Sequence, residues 1–216
     1  MFTKISRVWY LITHISLLRI LLSLPWNGYL KDTGWINSFI QQKSLDSDGK
    51  PIPWISYPCI EFIQNRLNKN LTIFEYGSGY STLFYADRVS DVISLEHDED
   101  WYLKIKSTIP ENVNLHFCEL IYGGQYSQFI TTIDRSFDVV IIDGRDRVNC
   151  INNSINSLSD TGVIILDNSE IIDYKPGIDF LINNGFRRLD FWGIAPGYNH
   201  KTCTTIFYKS NNCLGI

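Results

Sequence analysis

Two carboxylates and two glycines lie close enough along this chain to build one binding site for a nucleoside. Leu71-Thr72-Ile73-Phe74-Glu75-Tyr76-Gly77-Ser78-Gly79-Tyr80-Ser81 reads as a strand ending in a glycine turn, and Val92-Ile93-Ser94-Leu95-Glu96 as a second strand ending on a carboxylate. Glycine lets the backbone turn tightly and lets a ligand approach it. An acid about 20 residues beyond the glycines is placed to accept hydrogen bonds from both hydroxyls of a ribose. Each piece alone has a plainer reading. Gly77 and Gly79 could be an ordinary strand-to-helix turn, and Glu96, beside His97 and Asp98, could cap the next helix. Their order and spacing together argue for a cofactor site.

The dinucleotide fingerprint needs a third glycine where this chain has Thr82. Glu75, just before the glycines, would repel a pyrophosphate but suits a cationic amino-acid ligand. S-adenosylmethionine carries an ammonium and a sulfonium, and offers a ribose to Glu96. Glu75-x-Gly77-x-Gly79, Glu96 closing its strand, and an antiparallel last strand pair together resemble the class I S-adenosylmethionine-dependent methyltransferases, over about residues 60–210. Ser81 stands where that family often has another glycine. The resemblance implies that Glu75, Gly77 and Gly79 hold the methionine portion, that Glu96 holds the ribose, and that the end of the third strand, Glu119 and Leu120, lies near the adenine, with Ser78, Ser81 and His97 as further candidate cofactor-binding residues. An NAD-type oxidoreductase and a non-catalytic Rossmann-like binding module are the competing readings.

A second group lies at the ends of two later strands, Val139-Val140-Ile141-Ile142-Asp143 and Val163-Ile164-Ile165-Leu166-Asp167-Asn168. Consecutive strands are expected to be neighbours, which brings Asp143, Asp167 and Asn168 together. Two carboxylates and an amide oxygen are hard ligands suited to Mg²⁺. The trio is similar to the metal set of the catechol-type O-methyltransferases, which implies methylation of a hydroxyl. Three other readings stay open: Asp167, Asn168 and Ser169 as helix caps, Asp143 and Asp146 paired with Arg145 and Arg147, and Asp143 as a general base without metal. The two arginines could hold an anionic or polyhydroxylated acceptor, a small molecule or a glycan. The loop Gly193–Lys201 is a candidate lid, and its His200 is the histidine best placed for acid–base work.

The elements that must position these groups alternate. Strands are expected over Thr72–Tyr76, Val92–Glu96, Asn114–Cys118, Asp138–Ile142, Gly162–Leu166, Phe186–Trp192 and Thr204–Lys209, with helices between most of them. The link from Trp192 to Thr204 is too short for a crossover helix, so the last two strands should be antiparallel. The expected fold is α/β: a three-layer αβα Rossmann-like sheet, mostly parallel and seven-stranded, with an antiparallel last strand. Residues 1–56 are expected to be an N-terminal helical extension and loop, and residues 57–216 the Rossmann-like domain.

A formal net charge of −4 and the lack of a basic stripe argue against nucleic acid. Five cysteines without C-x-x-C spacing argue against a zinc site or disulfide framework and suit a reducing, cytoplasmic setting. Val8 to Leu24 is strongly apolar but interrupted by His14 and Arg19. It falls short of the about 20 residues of a spanning helix. A helix packed on the domain or on another subunit is the expectation, with peripheral membrane attachment through residues 8–24 as the alternative.

Overall fold

The structure, a computed structural model, describes the backbone of residues 4–216 and the side chains of residues 8–216. Two short helices, α1 (Lys4–Thr13) and α2 (Ile15–Ser23), are followed by α3 (Tyr29–Asp32) and α4 (Trp35–Gln41). The central unit then runs α5 (Tyr57–Gln64), β1 (Thr72–Tyr76), α6 (Tyr80–Arg88), β2 (Asp91–Glu96), α7 (Glu99–Lys106), β3 (Val113–Phe117), α8 (Gln125–Gln128), β4 (Phe137–Ile142), α9 (Arg147–Ser154), β5 (Leu158–Leu166), α10 (Lys175–Asn183), β6 (Arg187–Gly193) and β7 (Thr202–Tyr208).

The seven strands form one sheet in the order β3-β2-β1-β4-β5-β7-β6. β1 to β5 pair in parallel, and β7 runs antiparallel to both β5 and β6. Strand side chains alternate between two cores. Ile73, Val92, Val139, Ile141, Val163 and Ile206 meet α5 and α6 through Ile60, Ile63, Phe84 and Tyr85. Phe74, Leu95, Val140, Ile142, Leu166 and Phe207 meet α9 and α10 through Ile151, Ile178 and Leu181. Burial on both faces explains the unbroken apolar run Val139–Ile142 of β4.

The chain passes from β1 to β2 and β3 on one side and to β4 and β5 on the other. The reversal between β1 and β4 opens a crevice at the carboxyl ends of the strands. The segment before α5 reaches this crevice. Leu45, Ile52 and Ile55 are buried, Ser56 N–H donates to Thr204 Oγ1 at 3.0 Å, and Tyr57 N–H donates to Ile194 O.

The apolar stretch over 8–24 departs from the expected single packed helix. It breaks at His14, where φ is −114° and ψ is 67°. Thr13 Oγ1 donates to the carbonyls of Trp9 and Tyr10, and His14 Nδ1 lies 2.8 Å from Tyr10 O. Such local side-chain bonds compete with the helical ladder. No residue of α2 is buried, so it does not pack into the domain.

Candidate functional site

At the end of β1 the chain turns at Gly77, whose φ is +92°. A Cβ there would stand 2.8 Å from Gly144 Cα, the backbone leaving β4. Only glycine meets both demands, and the contact fixes the crevice floor. Gly79 N–H then donates to Thr82 Oγ1 at 2.9 Å, which tightens the entry to α6.

Glu75 lies beneath this turn and not in the crevice. It shares a strand face with Ile73, the face that α6 covers, and it is fully buried. Its carboxylate accepts hydrogen bonds from Ser81 Oγ at 2.5 Å, Thr82 Oγ1 at 2.5 Å and Ser94 Oγ at 2.6 Å. Burial pushes its pKa up to about 7; the three hydroxyls oppose the rise and the Glu96 charge adds to it. Glu75 thus braces the turn from behind through these three hydroxyls. Thr82, occupying the place of a dinucleotide glycine, uses its hydroxyl in this brace as donor to Glu75 and acceptor from Gly79.

Glu96 ends β2 at the crevice wall. One carboxylate oxygen accepts from Ser78 N–H at 3.0 Å and Ser78 Oγ at 3.1 Å. The other accepts from His97 N–H at 2.8 Å and Asp98 N–H at 2.9 Å. Three of these four donors are backbone amides, which hold the carboxylate in place. The fourth is a hydroxyl that a ribose hydroxyl can replace. Helix α7 is capped by Asp98, whose Oδ1 accepts from Trp101 N–H at 2.9 Å, so Glu96 is not its cap. Trp101 Nε1–H donates to Ser78 O at 2.8 Å and walls the turn. Gly77, Ser78, Gly79, Ser81, Glu96 and His97 all line the crevice. Glu119 does not: it is exposed beyond the end of β3.

Ile142 pairs with Leu166 across β4 and β5, so Asp143 and Asp167 leave adjacent strand ends in register. Asp143, Asp167 and Asn168 line the same crevice. Arg147 reaches back from the start of α9 and clamps both ends. Its Nη2 donates to Asp143 Oδ1 and Asp143 O at 3.1 Å each, its Nε donates to Gly144 O at 2.9 Å, and its Nη1 donates to Asp167 O. Arg147 is thus largely buried in a clamp at the crevice lining, paired with Asp143 as one of the open sequence readings had it. Asp146 bonds Gly123 N–H and Asn149 Nδ2 instead of an arginine.

Asp167 Oδ1 accepts from Thr204 Oγ1 at 2.6 Å. Asn168 sits at φ +51° and donates its amide to Thr202 Oγ1 at 3.1 Å. α10 starts only at Lys175, so Asp167, Asn168 and Ser169 are not its caps. Burial raises both carboxyl pKa values; Arg147 opposes the rise at Asp143, and the Asp143 charge adds to it at Asp167. Asp143 and Asp167 share one guanidinium, and the groups left to bind a ligand are all oxygens. This donor set fits a small hard cation such as Mg²⁺.

The crevice encloses about 1060 Å³. Its far wall comes from Gln41 to Ser44, Trp54, and the loop bearing Tyr198, His200 and Lys201. Trp35 Nε1–H donates to Tyr198 O at 2.7 Å, and the Trp54 and Tyr198 rings lie 5.6 Å apart, which joins these two distant segments. Lys43 and Lys201 on this wall, and Arg145 after the end of β4, bring positive charge to the crevice. Glu170 also lies there but is spent on Thr202 Oγ1 and Cys203 N–H, both at 2.9 Å. Trp101 and Lys43 carried no chemical motif in the sequence. Trp101 had one signal, an aromatic in the first turn after Glu96.

No protein-family model and no curated protein sequence matches this chain. Solved structures do. A candidate caffeoyl-CoA O-methyltransferase from Staphylococcus aureus superposes with a TM-score of 0.57 at 14% identity, over 89% of this chain and 98% of that one. A precorrin-6y C5,15-methyltransferase from Geobacter metallireducens superposes with a TM-score of 0.56 at 16% identity, over 71% and 87%. A candidate methyltransferase from Streptococcus mutans, solved with S-adenosylhomocysteine, gives 0.51 at 14% identity, over 71% and 99%. With the strand order, the glycine turn at the β1–β4 reversal and the acid ending β2, these likenesses identify the fold as the Rossmann-like fold of the class I S-adenosylmethionine-dependent methyltransferases.

Proposed function

We propose that this protein is an S-adenosylmethionine-dependent methyltransferase that methylates a hydroxyl of an anionic small molecule or glycan, with Mg²⁺ held by Asp143, Asp167 and Asn168. The observation that carries the reading is a single crevice running from Gly77 and Glu96 to the two carboxylates at the ends of β4 and β5. When bound, the cofactor supplies an electrophilic methyl whose sulfonium becomes a neutral thioether as the acceptor oxygen takes the methyl. Glu96 holds the ribose, with its hydroxyl replacing that of Ser78, and the Gly77–Gly79 turn lets the methionine portion approach the backbone. A cation between the carboxylates would favour the ionised acceptor oxygen. Lys43, Arg145 and Lys201 orient the acceptor's own negative charge. His200, at the exposed rim, takes the proton that the hydroxyl gives up. Holding nucleophile and methyl in line supplies much of the acceleration.

The test is a methyl-transfer screen over hydroxylated acceptors bearing carboxylate, phosphate or sulfate, with Mg²⁺ and with chelator. The expected product is a methyl ether, formed only with metal and lost in Asp143→Ala and Asp167→Ala. Turnover indifferent to the chelator and to both substitutions would remove the metal from the account. Neutral acceptors used as well as anionic ones would remove the charge selection.

A further inference from the structure

We infer that α1 and α2, with the turn that follows them, form a docking face for an anionic lipid surface. Trp9 is 69% exposed, Ile20 60%, Leu22 61% and Trp26 71%, and Val8, Tyr10, Ile12, Ile15 and Tyr29 are exposed as well. A face this apolar is unlike an ordinary wetted surface, where exposed apolar side chains are scattered singly. It needs a partner, and three features of the chain say which.

The first is charge. None of the chain's 23 Asp and Glu residues lies before Asp32, whereas Lys4, Arg7, Arg19 and Lys31 do, in a protein whose net charge is −4. The segment is a positive island on an acidic molecule. A second copy would set this positive face against itself with no acid to pair, whereas an anionic bilayer attracts each basic residue. The second is length. α1 has 10 residues and α2 has 9, about 15 Å each at 1.5 Å per residue, against a hydrocarbon core of about 30 Å. Among the described residues no helix is long and apolar enough to cross a membrane. Such helices lie in the interface plane. The third is composition. Trp9, Tyr10, Trp26 and Tyr29 are the amphipathic rings that settle at the headgroup level, and the break at His14 lets two short helices rest separately on a surface.

The inference does not rest on the methyl-transfer reading, and its test is separable from it. The full chain is mixed with sedimenting vesicles of phosphatidylcholine alone or enriched in phosphatidylglycerol. It should pellet with the anionic vesicles and be released by high salt. Arg19→Ala should weaken that binding about fivefold, the effect of one basic residue near an anionic surface. The combination of Trp9→Glu, Ile20→Glu and Leu22→Glu should lower it by more than about tenfold. Circular dichroism and thermal unfolding check each variant, and unchanged spectra and midpoints would show that the domain itself is folded. Three results would overturn the inference: no pelleting with either vesicle, equal pelleting with both, or a dimer in sedimentation velocity that the triple variant dissolves while the lipid stays unbound.

Discussion

Two glutamates that read alike in the sequence have opposite jobs in the structure. Glu96 faces the crevice, pinned by the amides of Ser78, His97 and Asp98. Glu75 is sealed below the turn with three hydroxyls. The sequence shows an acid at each strand end, but not which face of the sheet each side chain takes when the turn begins. Glu96→Ala should weaken S-adenosylhomocysteine about 10- to 100-fold in a calorimetric titration, the value of hydrogen bonds to a charged group. Ser78→Ala should stay within a few-fold, because its hydroxyl only holds the ribose's place. Glu75 makes a pH prediction. Its folded pKa, about 7, lies above the ordinary glutamate value of 4.5, so its contribution is fully present below the unfolded value and is lost as pH rises through the folded one. That loss is on the order of 3 kcal/mol. The raised carboxyls of Asp143 and Asp167 act in the same direction. Thermal midpoints should therefore fall from about pH 4.5 to about pH 8, and the fall up to about pH 7 should be shallower in Glu75→Gln. A fall just as steep in that variant would place the titration elsewhere.

At the scale of elements, the strands were the most legible part, because their apolar runs are fixed by burial on one or both faces. β1 spans the expected residues and β2 gains only Asp91. β5 begins at Leu158, four residues before the expected Gly162, because Leu158 pairs with Phe137 across a register shift. The short helix α8 and the 3₁₀ turn after it, Phe129–Thr132, had no periodic signal and are fixed by long-range burial of Tyr126 and Ile130. The order of the last strands was only half legible. Their antiparallel pairing follows from the short loop, but β7 inserts between β5 and β6. Composition explains this in retrospect: β6 carries Arg187, Arg188 and Asp190, as an edge strand does, while β7 is buried along its middle. The close contact of the β1 and β4 ends gives the prediction of this scale. Gly77→Ala adds a Cβ where φ is positive and Gly144 stands 2.8 Å away, so chemical denaturation should show a loss of about 2 kcal/mol or more. Cofactor-product binding should fall with it.

Across the whole molecule, the crevice is assembled from pieces far apart in sequence. The glycine turn and the acids of β2, β4 and β5 could be placed beforehand, since parallel strands deliver their carboxyl ends to one edge. The far wall could not. Lys43 and Trp54 reach it only because α4 is tied to the β6–β7 loop through Trp35 and Tyr198. That contact joins segments which no local pattern connects. The same assembly keeps the two proposed recognition events apart, a nucleoside inside the crevice and a lipid surface outside it, so that each can be measured independently.

The fold, the turn and Glu96 converge on one claim: this crevice takes a sulfonium nucleoside or its product and rejects a dinucleotide. Calorimetric titration of the full chain with S-adenosylhomocysteine, and in parallel with NAD, measures it directly. The account predicts saturable binding of S-adenosylhomocysteine at one site per chain, greatly weakened in Glu96→Ala, and no heat with NAD. Saturable NAD binding with S-adenosylhomocysteine silent would contradict it.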